Sequence, residues 1–84
     1  MARVSLTPSA AREYEGLPRA IRGRVLAIFE RLARWPEVSG AKPLRGDLAG
    51  LYRVRTGDYR VRFRVEGERV LVERIGHRDR FYED

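Results

Sequence analysis

Residues 51–65 read Leu51-Tyr52-Arg53-Val54-Arg55-Thr56-Gly57-Asp58-Tyr59-Arg60-Val61-Arg62-Phe63-Arg64-Val65. Two runs in which arginine alternates with apolar or aromatic residues flank Gly57-Asp58, and alternation of period two marks a strand with one buried face. Tyr52 and Val54 fall on the same side as Tyr59, Val61, Phe63 and Val65, while Arg53, Arg55, Arg60, Arg62 and Arg64 fall on the other. Gly57 supplies the glycine that a tight hairpin turn demands. The stretch therefore predicts two paired strands, 51–56 and 59–65, with a hydrophobic side and an arginine side. Five guanidinium groups on one small surface repel one another. Such a surface is most easily rationalised if a polyanion or an acidic protein spends time on it.

Downstream, Glu66-Gly67-Glu68 reads as a second hairpin joint leading to a strand over 69–75. Its Val70-Leu71-Val72 is apolar on both sides, as expected of a strand that is central or covered by helices. Upstream, residues 37–50 contain Gly40, Pro43, Gly46 and Gly50 and read as a loop, with Leu44 and Leu48 as its anchors to the core. Before that loop, Ile21, Val25, Ile28 and Leu32 repeat at helical spacing, and Leu26, Phe29 and Trp35 widen the stripe. Pro18 opens this helix and Pro36 ends it. A shorter helix starts at Thr7-Pro8, a capping hydroxyl before proline, carries Ala10, Ala11 and Tyr14, and stops at Gly16. The tight Gly16-Leu17 joint predicts an antiparallel helical hairpin. Residues 2–6, with Val4 and Leu6 on one side, form a first strand. The predicted order is β-α-α-β-β-β, an α+β fold with an antiparallel-type sheet and the hairpin packed on one face.

A chain of 84 residues has room for one domain, spanning 1–84, with one modest core. The formal net charge is +6, and 17 of the 18 basic residues are arginines, Lys42 being the one lysine. Arginine presents a planar, bidentate fork to phosphate, whereas lysine is a point charge. A GC-rich coding sequence or a thermophilic host explains a general preference for arginine, but not its alternation. The absence of cysteine excludes disulfides and thiolate metal sites. No apolar run approaches the roughly 20 residues of a membrane span, and the N-terminus lacks the apolar core of a signal peptide. Cytoplasm is the expected location, without a membrane partner. No Asp/Glu/His cluster has ligand spacing, so neither a metal nor another cofactor is expected.

After the last strand the chain reads Ile75-Gly76-His77-Arg78-Asp79-Arg80-Phe81-Tyr82. This phrase, with Pro43-Leu44-Arg45-Gly46, Gly50-Leu51-Tyr52-Arg53-Val54-Arg55 and Gly57-Asp58-Tyr59-Arg60-Val61-Arg62-Phe63, in this order over essentially the whole chain, resembles the RelE branch of the RelE/ParE toxin superfamily. The resemblance implies the toxin of a type II toxin–antitoxin pair, a metal-independent endoribonuclease that cuts mRNA on the ribosome. The partners it implies are the ribosome, mRNA and a RelB-like antitoxin, for which an acidic amphipathic helix is the expected binding element. It also implies catalytic roles for Arg53, Arg55, Arg60, Arg78 and Tyr82.

The residues themselves fit such chemistry. Attack of a ribose 2′-hydroxyl on the adjacent phosphate needs a proton acceptor, cations for the charge that builds on phosphorus, and an acid for the leaving 5′ oxygen. Arg53, Arg55 and Arg60 share a face and form a cationic clamp, and Tyr82 can stack on a base. Better-known members of the family carry lysines where this chain has Arg53 and Arg55, and arginine is a poor base. Proton abstraction therefore falls on His77, the only histidine, or on arginines acting electrostatically. Arg45, Arg62, Arg64 and Arg80 are further RNA-contact candidates. Arg62 and Arg64 read equally well as solvated sheet charges or antitoxin contacts, and Asp79 as the partner of a neighbouring arginine. Two other functions fit the superfamily: a ParE-like poison of DNA gyrase, and a catalytically silent module that binds RNA or antitoxin.

Overall fold

The two arginine-bearing runs are neighbouring strands in a five-stranded sheet. The computed structural model describes residues 1–80, without the side chain of Arg80. Its elements are β1 (Arg3–Leu6), α1 (Pro8–Glu15), α2 (Arg19–Leu32), β2 (Lys42–Pro43), β3 (Leu51–Thr56), β4 (Tyr59–Glu66) and β5 (Arg69–His77), with single 3-10 turns at Gly46–Leu48 and Arg78–Arg80. The strand order is β1-β5-β4-β3-β2. The expected α+β class holds, with two differences in the sheet. β1 pairs with β5 in parallel, because the helices carry the chain from one sheet edge to the other before the β3-β4-β5 meander returns it to β1. The segment expected to be only a loop adds β2, which pairs Lys42 with Arg53 and Pro43 with Tyr52. Pro43 is tolerated there because β2 is an edge strand.

Both hairpins close as two-residue turns, Thr56 facing Tyr59 and Glu66 facing Arg69. Gly57 and Gly67 occupy the first loop position with φ of 58° and 61°, a conformation that side chains other than glycine resist. A Cβ at Gly57 would also come within 3.3 Å of Arg24 Nη1 on α2.

The helix side of the sheet holds the core, in which Val25, Ile28 and Leu32 of α2 and Ala10 of α1 meet Val54, Val61, Phe63, Val70, Val72 and Ile75. α2 ends at Leu32, so Trp35 belongs to the following turn and not to the helix itself. There its ring packs edge-on to Tyr52 and Phe63, with centroids 4.9 and 5.6 Å away. Leu44 is buried as expected, but outside this core. Its N–H donates to the Leu51 carbonyl at 2.9 Å, which holds the loop against β3.

β5 departs from simple alternation. Val70, Val72 and Ile75 are all buried, a spacing of two and then three. The register explains it, since Arg62 faces Arg74 while Phe63 faces Val72, leaving Glu73 as the extra residue of a β-bulge. Here β1 has ended, and α1 takes over the edge of β5. The Thr7 hydroxyl accepts from Ala10 N at 3.1 Å as helix cap and donates to the Glu73 carbonyl at 3.3 Å. Further along, Glu13 Oε1 accepts from Ile75 N at 2.7 Å. A carboxylate thus stands where a strand partner would otherwise be needed, and hydrogen bonds to charged groups contribute about 1.5–3 kcal/mol. Glu13→Ala is expected to lower stability in urea unfolding by about 1–2 kcal/mol, with Glu13→Gln retaining most of the difference.

Candidate nucleic-acid interface

The face of the sheet turned away from the helices is the arginine face. Cross-strand register sets Arg55 opposite Arg60, Arg53 opposite Arg62, and Leu51 opposite Arg64. On the other side of β4, Arg60 faces Gly76 and Arg62 faces Arg74. Arg53 and Arg55, with Arg60, Arg62 and Arg64, therefore share one surface.

Their surroundings differ. Arg53 is only 7% exposed. It lies at the bottom of a cleft of about 250 Å³, lined also by Lys42, Pro43, Leu44 and Arg45. Arg64 Nε donates to Glu73 Oε2 at 2.6 Å, and Glu66 stands 4.0 Å from Arg64 Nη1. Its charge is answered within the fold. Arg60 Nη1 makes long contacts of 3.4 Å to the carbonyls of Gly57 and Tyr59. Arg45, Arg55 and Arg62 have no carboxylate partner among the described residues. Arg62 Nε is buried without a hydrogen-bond partner.

His77 lies elsewhere. It faces Tyr59 in the register, and the two rings meet edge-on at 5.3 Å. Both rings line a cleft of about 570 Å³ along the free edge of β5, with Glu13, Leu17, Arg74 and Asp79 also in its walls, and in the register His77 shares its side of the sheet with Tyr59, not with Arg60. A histidine on the arginine face, as a base beside the clamp would require, is therefore not what the fold provides. The physical reason is the alternation of β5, which turns Gly76 to the open face and His77 away from it. His77 Nδ1 instead accepts from Asp79 N at 3.2 Å, and Asp58 Oδ2 lies 4.0 Å from Nε2.

Asp58 also receives the tail. Its carbonyl accepts from Arg78 N at 2.7 Å, and Oδ1 lies 3.8 Å from Arg78 Nε. Asp79 Oδ1 stands 3.9 Å from the same atom. The exposed Arg78 is thus tied to the turn that carries Arg60. Tyr82 and the side chain of Arg80 lie outside the described residues. Among the described residues, no three His, Asp or Glu side chains come together as a metal site, and no helix is long and apolar enough to cross a membrane.

Two cations were not expected in the register of the arginine strands: Lys42 faces Arg53, and Arg74 faces Arg62 while its side chain reaches the cleft beside Glu13, with Nε 4.0 Å from Glu13 Oε2. Strict alternation from Val70 and Val72 sends Arg74 toward the core, and only the bulge turns it outward. The available signal was the pair Glu73-Arg74 set between Val72 and Ile75, since an arginine at a core position argues for a broken period.

The family described as the ParE toxin of the type II toxin–antitoxin system, parDE, matches residues 4–82. The chain belongs to this toxin family. Toxin RelE and Toxin RelG of Mycobacterium tuberculosis are each 38% identical to the toxin over 82 residues, covering 94% of its length and 84% and 93% of theirs. The toxin–antitoxin complex RelBE2 from the same organism contains a chain that superposes with a TM-score of 0.79 at 35% identity, over 90% of each chain. The isolated RelE toxin of E. coli shares the fold with a TM-score of 0.78 at 21% identity, over 92% of this chain and 84% of that one. The resemblance to RelE-like toxins seen in the sequence is borne out.

Like charges set directly opposite across strands destabilise a sheet, so Arg55, which faces Arg60 and has no carboxylate partner among the described residues, costs the toxin stability. Arg55→Ala should leave the melting temperature unchanged or raise it. Arg64→Ala, which breaks the pair with Glu73, should lower stability by about 0.2–1 kcal/mol. Thermal unfolding of the two variants at low salt checks the contrast.

Proposed function

We propose that the toxin is an endoribonuclease that cuts mRNA on the ribosome by attack of the ribose 2′-hydroxyl on the adjacent phosphate. The observation that carries this reading is the open arginine face, above all Arg55 opposite Arg60 and Arg62 beside them, with Arg55 and Arg62 lacking carboxylate partners among the described residues. A phosphate diester is the ligand that such forks suit. In the reaction the 2′ oxygen bonds to phosphorus, the bond to the 5′ oxygen breaks, and a 2′,3′-cyclic phosphate and a 5′-hydroxyl result. Arg55, Arg60 and Arg78 hold the non-bridging oxygens and stabilise the added negative charge. Donors fixed in advance of the reaction are the largest single term in many such catalysts.

The proton of the 2′-hydroxyl leaves to water and water supplies one to the departing 5′ oxygen, since the open face offers no imidazole among the described residues. His77 then acts as a positioning residue, holding the Tyr59, Asp58 and Asp79 frame from which Arg78 projects. Tyr82 remains the candidate for stacking on a base. Control comes from a RelB-like antitoxin with an acidic amphipathic helix, a partner supported by the RelBE2 complex of the M. tuberculosis relative. The family's ParE description keeps a second reading in play, poisoning of DNA gyrase by binding alone.

Induced expression followed by mapping of mRNA ends separates the two. Cuts in translated messages are expected, whereas intact messages with accumulating double-strand DNA breaks would replace the nuclease with the gyrase poison. Arg60→Ala and Arg78→Ala should each slow cleavage by about 10²–10³-fold, the scale of one lost oxyanion donor. His77→Ala should slow it by less than about tenfold, the scale of a role short of general base catalysis.

A further inference from the structure

The turn between β3 and β4 gathers two of the arginines assigned to the phosphate. Its loop residues are Gly57 and Asp58. The carbonyls of Gly57 and Tyr59 each lie 3.4 Å from Arg60 Nη1, and the Asp58 carbonyl between them accepts from Arg78 N at 2.7 Å. Three successive carbonyls of one turn therefore serve two arginines, one from β4 and one from the segment after β5.

Asp58 adds a side chain that the turn itself does not require. The positive φ of this loop falls on Gly57, and no described residue other than glycine has one, so position 58 makes no special demand on its occupant. The second hairpin shows what the backbone needs by itself. Gly67-Glu68 closes in the same way, and the Glu68 carbonyl likewise accepts an N–H from another segment, that of Arg3 at 2.8 Å. Glu68 makes no ion pair among the described residues. Asp58, by contrast, has Oδ1 3.8 Å from Arg78 Nε and Oδ2 4.0 Å from His77 Nε2. Asp79 approaches the same two side chains, with Oδ1 3.9 Å from Arg78 Nε and Oδ2 3.4 Å from His77 Nδ1. Both carboxylates thus meet the Arg78 guanidinium at Nε, the edge away from its terminal fork.

We propose that Asp58 is a positioning residue for RNA cleavage: with Asp79 it holds Arg78 by Nε and presents Nη1 and Nη2 to the phosphate that Arg60 also holds. The role rests on the ribonuclease reading, whereas the contacts rest on the turn. Asp58 itself does not touch the substrate. A carboxylate this close also offsets part of the charge of Arg78, and magnitudes decide which effect wins. The two side chains are 59% and 60% exposed, so solvent screens the pair and little attraction for phosphate is lost. An arginine left unheld must instead give up its rotamer freedom at the moment the charge builds on phosphorus. Asp58 therefore acts on the chemical step more than on binding.

The test is mRNA cleavage by the intact toxin on programmed ribosomes, resolved into kcat and KM, together with the NMR signal of the Arg78 Nε–H group in the free toxin. Asp58→Asn removes the charge and suits the turn. It should lower kcat by about threefold to fivefold, the factor an exposed ion pair supplies near the top of its range, with KM unchanged or lower. In an Arg78→Ala background the same change should add nothing, because a residue acting through Arg78 loses its effect with it. Glu68→Gln, an equal change of charge at the matching position of the other hairpin, should leave kcat unaltered. The Arg78 Nε–H signal should shift in Asp58→Asn. An unchanged kcat in Asp58→Asn, a kcat reduced equally with and without Arg78, or an Arg78 signal indifferent to Asp58→Asn would overturn the proposal and leave the nuclease reading standing. A wild-type toxin that leaves translated mRNA intact would remove both.

Discussion

The period of two in β3 and β4 is the constraint on which the rest of this molecule depends. Once Val54, Val61 and Phe63 are committed to the core beneath α2, the intervening arginines have no choice of face. A slip of one residue in either strand would drive guanidinium groups under Leu32 and Val25, and burying an unpaired charge costs far more than any alternative pairing returns. Register here is enforced by charge as firmly as by hydrophobicity. The same alternation that makes the fold unambiguous also concentrates positive charge on the opposite surface, so fold specification and the candidate binding face are one feature of the sequence.

That surface is not uniform, and the differences follow from local geometry. Arg64 has Glu73 and Glu66 within reach because the bulge and the second hairpin bring acidic side chains to its end of β4. Arg78 has Asp58 and Asp79 because the last strand ends at the turn between β3 and β4. Between these ends the middle of the sheet presents Arg55 and Arg62 with no carboxylate partner among the described residues. Proteins accumulate such local costs where function needs them. The exposed ion pairs at the periphery stabilise little on their own. They do confine the uncompensated charge to a narrow zone.

The strands, turns and helices were legible because each rests on a local rule. Thr7-Pro8 announces α1, Gly57 and Gly67 announce the hairpins, and Ile21, Val25, Ile28 and Leu32 trace the buried stripe of α2. What escaped depends on pairing between distant segments. The parallel match of β1 with β5 is set by where the helices deliver the chain, and no residue within Arg3–Leu6 encodes it. β2 exists only because Lys42 and Pro43 find the free edge of β3. The bulge at Glu73 is visible in hindsight as an arginine at a nominal core position, yet its effect on Arg62 and Arg74 requires the register of β4. The side of the sheet that His77 faces was hidden for the same reason, since proximity in sequence to Arg78 says nothing about it.

A face whose cations are arginines, with His77 turned to the other side in the register, constrains how any catalysis here would work. As a residue type, arginine binds phosphate strongly and keeps its proton through the pH range in which proteins are folded. It can lower the energy of a pentacoordinate phosphate by holding its oxygens, but it cannot cycle a proton between the 2′ and 5′ oxygens. Stabilising the product of proton loss is then the main contribution open to it, because an alkoxide or a dianionic phosphate forms more readily beside fixed cations in a partly desolvated setting. A sheet serves that purpose well. Its backbone is held on both sides by ladder hydrogen bonds, so the guanidinium groups keep their spacing whether or not substrate is present, and little reorganisation is required when the charge develops. An anion seated among Arg55, Arg60 and Arg62 would lessen the repulsion between like charges that the register sets face to face. Part of what these like charges cost the fold would then be returned on binding an anion.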